Sequence, residues 1–213
     1  MGKKDAPDGL NNLGRIRTEK KPAGVTPSAS PCDCRLDFRF HRNLTPSLER
    51  DGDRVRMITR GGYNWTDRYP WIVEAAGKIR QRQFVLDGEA VVLGVDGISD
   101  FNALHSRKHD DEVQFCAFDI LVEGGDDLRK LPLSMRKTNS ARLLARRSDG
   151  IFAAPFEQGE IGPDLFRAAC NMGLEGLVSK RRDRPYRGGG SPHWVKVKNR
   201  THPAMNRVRD AFS

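Results

Sequence analysis

The sequence predicts an α+β domain with a mainly antiparallel sheet, on three observations. Two strongly apolar runs of strand length, Phe84–Leu93 and Val113–Val122, lie in the middle of the chain. Helical stretches at Tyr69–Gln81, Ser134–Arg147 and Asp164–Met172 fall among the strands without strict strand–helix–strand alternation. Two further short runs, Leu174–Ser179 and Trp194–Lys198, carry charge inside them and flank a loop dense in Arg and Gly. At 213 residues the chain is long enough for one domain with a real core, or at most two small ones.

The elements follow in order. Residues 1–30 are rich in Lys, Gly, Pro, Asn and Ser without apolar period, and read as a flexible, weakly basic arm. Residues 31–50 contain apolar residues but keep no period, and Pro46 interrupts them, so order is expected to begin at Asp51. Asp51-Gly52-Asp53 is a turn, Arg54–Thr59 alternates as a strand, and Arg60-Gly61-Gly62 leaves it. The helix over Tyr69–Gln81 has Pro70 in its first turn and Ile72, Val73, Ala76 and Ile79 as its apolar stripe. After the Phe84–Leu93 strand, Val95–Ile98 turns the chain, and His105–Glu112 reads as polar and exposed surface, its two histidines included. Val113–Val122 reads as a strand buried on both faces, closed by an acidic Gly-Gly-Asp-Asp turn. Leu143 and Leu144 point inward from the Ser134–Arg147 helix, Phe152–Phe156 is a short strand, and Gly173 ends the last helix with a left-handed cap.

Charge and cysteine content bound the function. A net charge of +9 and a pI near 9.7 point to a polyanionic partner, nucleic acid before a membrane surface. No apolar run approaches the about 20 residues that a membrane span needs. The N-terminus MGKKDAPDGL has no apolar core of a secretory signal. Cys32, Cys34, Cys116 and Cys170 lack zinc-site spacing and read as reduced thiols of a cytoplasmic protein.

Two stretches carry chemistry. In Trp194–Lys198 the period of 2 places Trp194, Lys196 and Lys198 on one face, with Val195 and Val197 buried on the other. Neighbouring lysines on a strand repel unless an anion, most simply a phosphate, lies between them; the bland alternative is an edge strand protected by its charges. In Phe84–Leu93, the same period turns Val85, Asp87 and Glu89 one way and Phe84, Leu86 and Ala90 the other. Two carboxylates within an apolar strand need a cation, either a divalent metal in a cleft or an arginine of the fold.

Together these motifs, in this order, resemble the adenylation domain of ATP-dependent DNA ligases of the bacterial end-joining type. The resemblance rests on LDGEAVV at Leu86–Val92, AFDIL at Ala117–Leu121, EGLVSKRRDRPYR at Glu175–Arg187 and WVKVKN at Trp194–Asn199. TRGGYNWTDRYP at Thr59–Pro70 and DFNALHSRKHD at Asp100–Asp110 look like the same subgroup, and the likeness runs from Arg50 to the C-terminus. It implies a nucleotidyltransferase fold, two packed, mainly antiparallel sheets with flanking helices, with ATP and Mg²⁺ bound in the cleft between them. It implies that Arg60 lies near nucleotide and phosphates, Glu89 holds ribose or metal, Phe118 stacks on adenine, and Glu175 binds metal. Lys196 and Lys198 would neutralise the α-phosphate. Lys180 also matches a nucleotide-binding position, although its strand parity turns it away from Glu175 and Ser179. Arg181, Arg182, Arg184 and Arg187 would bind DNA. The partners implied are duplex DNA with nicks or ends, a Ku-like end-binding protein, and a chain supplying an OB-fold; the location implied is the cytoplasm, at the nucleoid.

Two departures stand against the resemblance. The family attacks ATP with the lysine of a K-x-D-G-x-R motif, and by the family spacing that lysine falls at Phe40, where the chain reads FHRNLT. The break reads as a frameshift or divergence over residues 31–49, as in a pseudogene, or as a true substitution in a domain retained for binding. The chain also stops soon after WVKVKN, without a C-terminal OB-fold. Two functions therefore stand side by side: an ATP-dependent DNA ligase of double-strand-break repair and recombination that seals nicks through a lysine–AMP intermediate, impaired in this chain, and a catalytically inactive ATP- and DNA-binding module. An mRNA-capping or RNA-ligase relative fits the sequence between the motifs less well.

Overall fold

The computed structural model describes residues 32–37, 45–95, 97, 99–146, 149–158 and 162–202. The arm at 1–30 and the Phe40 position lie outside the described residues. In chain order the elements are β1 (Cys32–Asp37), β2 (Pro46–Asp51), β3 (Arg54–Thr59), α1 (Pro70–Lys78), β4 (Gln83–Val91), α2 (Phe101–Ser106) and β5 (Gln114–Glu123). There follow β6 (Asp126–Asp127), α3 (Leu133–Leu143), β7 (Ile151–Ala153), β8 (Glu157–Gln158), α4 (Pro163–Asn171), β9 (Gly176–Arg181) and β10 (Trp194–Lys198).

The strands form two sheets, one ordered β3-β2-β4-β5-β6 with β7 also on β5, the other ordered β10-β9-β1-β8. Every pairing is antiparallel except β5 with β7, which runs parallel in the register Phe115↔Ile151. That exception follows from connectivity, because the chain crosses from β5 to β7 through a helix, α3, as a parallel return requires. The α+β class and the two mainly antiparallel sheets read from the sequence are present.

The main core lies against the six-stranded sheet, where Leu48, Met57, Tyr69, Ile72, Phe84, Leu86, Phe115 and Ile120 are buried together. Helix α1 covers it through Ile72, Ala75 and Ala76, with Pro70 at its first turn, where a missing N–H costs nothing. A smaller cluster of Ala169, Leu174 and Leu177 seats α4 on β9, and Gly173 makes the turn between them at φ 72°.

Three expectations are corrected here, and one helix is added. Order does not start at Asp51, since Pro46–Asp51 is a strand paired on both sides, with β3 and β4. Its inward residues are Pro46, Leu48 and Arg50, so a proline and a buried arginine mask the apolar period. Pro46 stands at the first position of the strand, where a proline disturbs the ladder least. Arg50 is buried because its guanidinium donates to the carbonyl oxygens of Ala76 (2.9 Å) and Ile79 (2.5 Å), closing the C-terminus of α1.

The polar stretch His105–Glu112 is mainly exposed, as read, but it begins within a helix the sequence did not announce, Phe101–Ser106, capped by Asp100, whose carboxylate accepts from the N–H groups of Asn102 and Ala103. Leu104 on that helix is buried, His105 is exposed, and His109 is half-buried beside Glu112 at 2.7 Å. Val195 is 56% exposed rather than buried, because β10 is the edge strand of its sheet. The buried face of α3 is made by Leu133, Arg136 and Ser140, with Leu144 just beyond its end and Leu143 only partly covered.

Arg136 explains that face. Its Nε and Nη2 donate to the two carboxylate oxygens of Asp119 in the middle of β5 at 2.8 and 2.9 Å, with the side chains 2% and 0% exposed. Nη1 reaches the carbonyl oxygens of Leu131 (2.6 Å) and Arg184 (3.4 Å). Asp119→Ala would leave the guanidinium buried without its counter-charge, and is expected to destabilise the fold by about 3–5 kcal/mol. Urea unfolding checks this; a loss within 1 kcal/mol, on the scale of about 0–1 for an exposed pair, would show that the pair is not buried as described.

Candidate functional site

Between the two sheets lies a cavity of about 570 Å³ lined from both sides, by β2 to β5 of one sheet and by β9, β10 and the loop between them of the other. From β4, Val85, Asp87 and Glu89 face it, as strand alternation requires. The glycine between the two carboxylates is needed for packing. A Cβ on Gly88 would stand 2.3 Å from Phe115 Cζ and 2.8 Å from the Cys116 carbonyl oxygen. The ladder between β4 and β5 shifts register at Asp87/Gly88, so the close approach of β5 and the display of Glu89 arise at one place.

On β5, Phe118 faces the cavity while its neighbour Asp119 turns to Arg136 on α3. From the other sheet come Val178 and Lys180 on β9 and Trp194 and Lys196 on β10. They are cross-strand partners, Lys196 opposite Val178 and Trp194 opposite Lys180. Lys180 is buried, with its Nζ 4.6 Å from the centroid of the Phe118 ring and 4.3 Å from that of Trp194. Arg60, at the end of β3, lines the mouth beside Gly188 and Gly189.

The loop after β9 is tied down at its base and at its tip. The carbonyl oxygens of Arg182 and Arg184 accept from the N–H groups of Ser134 and Leu133, the first turn of α3. The Tyr186 N–H donates to the Arg129 carbonyl oxygen at 2.8 Å, and its phenol donates to Asp87 Oδ2 at 3.0 Å. Burial foremost, then the charge of Asp87, raises the pKa of the Tyr186 phenol, so it remains a donor well above neutral pH.

Of the residues singled out from the sequence, the structure brings Arg60, Glu89, Phe118, Lys180 and Lys196 to one cavity. It does not bring Glu175 or Lys198 to that lining. The cavity face of β9 is carried by Val178 and Lys180, so Glu175 falls on the opposite parity; it is buried, and its Oε2 has no hydrogen-bond partner among the described residues. Lys180, whose parity turned it away from Glu175, faces the cavity for that same reason. Lys198 is exposed, opposite Gly176 at the far end of β10. Arg181 and Arg184 both pair with Asp183, at 3.2 and 3.4 Å, Arg182 is half-buried, and Arg187 is exposed. The Phe40 position lies outside the described residues.

The sequence reading missed the contact between Tyr186 and Asp87, which spans 99 residues of chain. The parity that turned Asp87 with Glu89 toward a cleft was its only signal. Among the described residues no three His, Cys, Asp or Glu side chains are grouped to hold a metal. A wider cavity of about 930 Å³ opens near α1 and α3, where two of the cations are paired locally, Lys78 with Glu74 at 2.7 Å and Arg142 with Glu123 at 2.9 Å. It holds none of the candidate site residues named from the sequence.

Residues 46–198 match the family model described as ATP dependent DNA ligase domain. The multifunctional non-homologous end joining protein LigD of Pseudomonas aeruginosa is 34% identical over 147 residues, covering 68% of this chain and 18% of that protein. LigD of Mycobacterium tuberculosis is 33% identical over 154 residues, covering 71% of this chain and 20% of its own length. The chain thus spans about a fifth of the length of these relatives. Among solved structures, the ligase domain of M. tuberculosis LigD superposes with a TM-score of 0.68 at 29% identity, over 79% of this chain and 53% of that one. A mycobacterial DNA ligase D complexed with ATP and MES gives 0.66 at 28% identity, over 79% and 55%.

Two phenols, the buried Tyr69 and the half-buried Tyr186, bear on stability at alkaline pH. Burial raises Tyr69 to about 12, and Tyr186 is raised by burial and by Asp87. A pKa above the unfolded value of about 10 contributes stability that is whole below pH 10 and is lost as pH rises through the folded values. Stability is therefore expected to decline steeply above pH 10, and Tyr69→Phe/Tyr186→Phe to flatten that decline. Denaturation at pH 8 to 11 measures it, and an unchanged slope in the double variant would contradict the assignment.

Proposed function

The chain belongs to the ATP-dependent DNA ligase domain family, and from that premise we propose that the cavity between its sheets is an ATP site serving chemistry on duplex DNA with nicks or ends. The observation that carries this reading is the convergence of Glu89, Phe118, Lys180, Lys196 and Arg60 on one cavity from two sheets. An aromatic face suits a purine, a buried carboxylate suits ribose or a metal, and cations from β3, β9 and β10 suit phosphates. Phosphoryl-group chemistry asks little more of a protein than positioning and positive charge.

In this reading Phe118 and Val178 receive the base, Glu89 the ribose, and Lys196 the α-phosphate, with Arg60 at the mouth. The carboxylates fit Mg²⁺ only as an ion shared with substrate. Such an ion needs one or two protein carboxylates beside the phosphates, which Glu89 supplies, whereas Asp87 is engaged by Tyr186. Bound there, Mg²⁺ would offset phosphate charge. Lys198, on the face of Lys196 but at the far end of β10, would join the site only if the sheets close further on a ligand, whereas Glu175, on the opposite parity, would need the chain before β9 to turn. Arg187, with the half-buried Arg182, would meet the DNA backbone without reading sequence. A Ku-like end-binding protein, an OB-fold from another chain, Mg²⁺, a role in recombination, and a place at the nucleoid of the cytoplasm belong to the same proposal. No helix among the described residues is long and apolar enough to cross a membrane.

The chain is proposed to bind ATP without adenylating itself in the family's manner, because Phe40 stands where the family's lysine is expected and no K-x-D-G occurs in the sequence. With ATP and Mg²⁺, intact mass spectrometry is expected to show no added AMP. Replacing Phe40–Thr45 as a block by a K-x-D-G-x-R segment is expected to produce one. An adduct on the unaltered chain would show that another nucleophile serves.

ATP–Mg²⁺ is nonetheless expected to bind. Lys196→Ala removes a charged partner of the phosphates and should weaken binding by about 1.5–3 kcal/mol in calorimetry. An unaltered chain that binds no ATP would refute the site itself.

A further inference from the structure

We infer that Lys180 covers the aromatic face of the cavity until the phosphates of a nucleotide draw it away, so that one side chain couples base stacking to phosphate binding. The inference rests on reading the cavity as a nucleotide site, and adds to it an order of events and a basis for selectivity. Lys180 is 7% exposed, and its ammonium lies 4.6 Å from the Phe118 centroid and 4.3 Å from the Trp194 centroid. Phe118 belongs to β5 of the six-stranded sheet and Trp194 to β10 of the other, so this cation bridges both walls of the cavity.

Stacking brings a base to about 3.5–4 Å from a ring, within the space the ammonium now fills over Phe118. A base can take that face only if Lys180 leaves Phe118. For a nucleoside, the departure gives up that cation–π contact for nothing of comparable charge, and binding is weakened accordingly. A triphosphate gives the ammonium a stronger partner in the same cavity, where Lys196 already stands opposite Val178, two residues from Lys180 on the same face of β9. The phosphates thus uncover the stacking face that the base then takes. The cavity accordingly selects nucleotides over nucleosides by the charge of their tails, beyond the direct attraction of cation and phosphate.

The test uses the full chain, with adenosine and ATP–Mg²⁺ as probes, in calorimetry. Lys180→Met is expected to bind adenosine about five- to tenfold more tightly and ATP about tenfold more weakly, whereas Lys180→Arg, which keeps a cation on the rings, holds adenosine binding low. A folded Lys180→Met chain whose affinity for adenosine is unchanged or reduced overturns the inference while leaving the ATP site intact. Absence of ATP binding by the unaltered chain overturns the nucleotide site and the inference with it. The unaltered chain supplies a second readout that does not depend on the variant folding. ATP, and not adenosine at equal occupancy, is expected to change tryptophan emission, and Trp194→Phe to remove that change. An equal change with both ligands would overturn the ordering.

Discussion

One buried carboxylate organises the molecule. Asp119 lies in the middle of β5 with no exposure, and the guanidinium of Arg136 meets it with two parallel hydrogen bonds. Because that guanidinium also holds the carbonyl oxygen of Arg184, the pair locks α3 to the six-stranded sheet and the loop after β9 to α3. The first N–H groups of α3 then take the carbonyl oxygens of the same loop, so two sets of unsatisfied backbone groups cancel each other. Tyr186, thus placed, reaches across to Asp87 on β4. A charge that would be ruinous alone becomes the joint through which both walls of the cavity are registered.

The cavity inherits its character from this arrangement. Its carboxylates come from a strand that bends around Gly88, and its cations from β3, β9 and β10. The carboxylates stand on the six-stranded sheet, whereas Lys180 and Lys196 come from the other sheet and Arg60 from the end of β3, so the space is polarised before anything is bound. Such a space favours a ligand with an apolar plate at one end and negative charge at the other.

Much of this was legible in sequence, and the reasons differ by element. Arg54–Thr59, the β4 carboxylates and the β10 lysines announced themselves because period-2 alternation acts within one strand and needs no knowledge of neighbours. Pro46–Asp51 did not, since its inward positions include Arg50, buried only because α1 ends beside it. The helix at Phe101 was hidden by its shortness; the cap at Asp100 and the buried Leu104 mark it. Glu175 and Lys198 were assigned to the cavity by resemblance, and parity and strand length separate them from its lining. The contact between Tyr186 and Asp87 belongs to the fold as a whole, because only the meeting of two sheets creates it.

The division of strands between the sheets also bears on how the chain assembles. Every strand of the six-stranded sheet lies between Pro46 and Ala153, one unbroken stretch of chain. The other sheet must pair Cys32–Asp37 with Gly176–Arg181, closing a loop of well over a hundred residues. Contacts that close long loops cost more entropy and form later, so during synthesis the first wall can stand while the second still awaits its C-terminal strands. Asp87 and Glu89 would then spend the interval facing solvent, and two carboxylates on that uncovered face are a charge that discourages other unfinished chains from packing against it. The acidity that serves a ligand in the finished protein would act as a guard on the unfinished one.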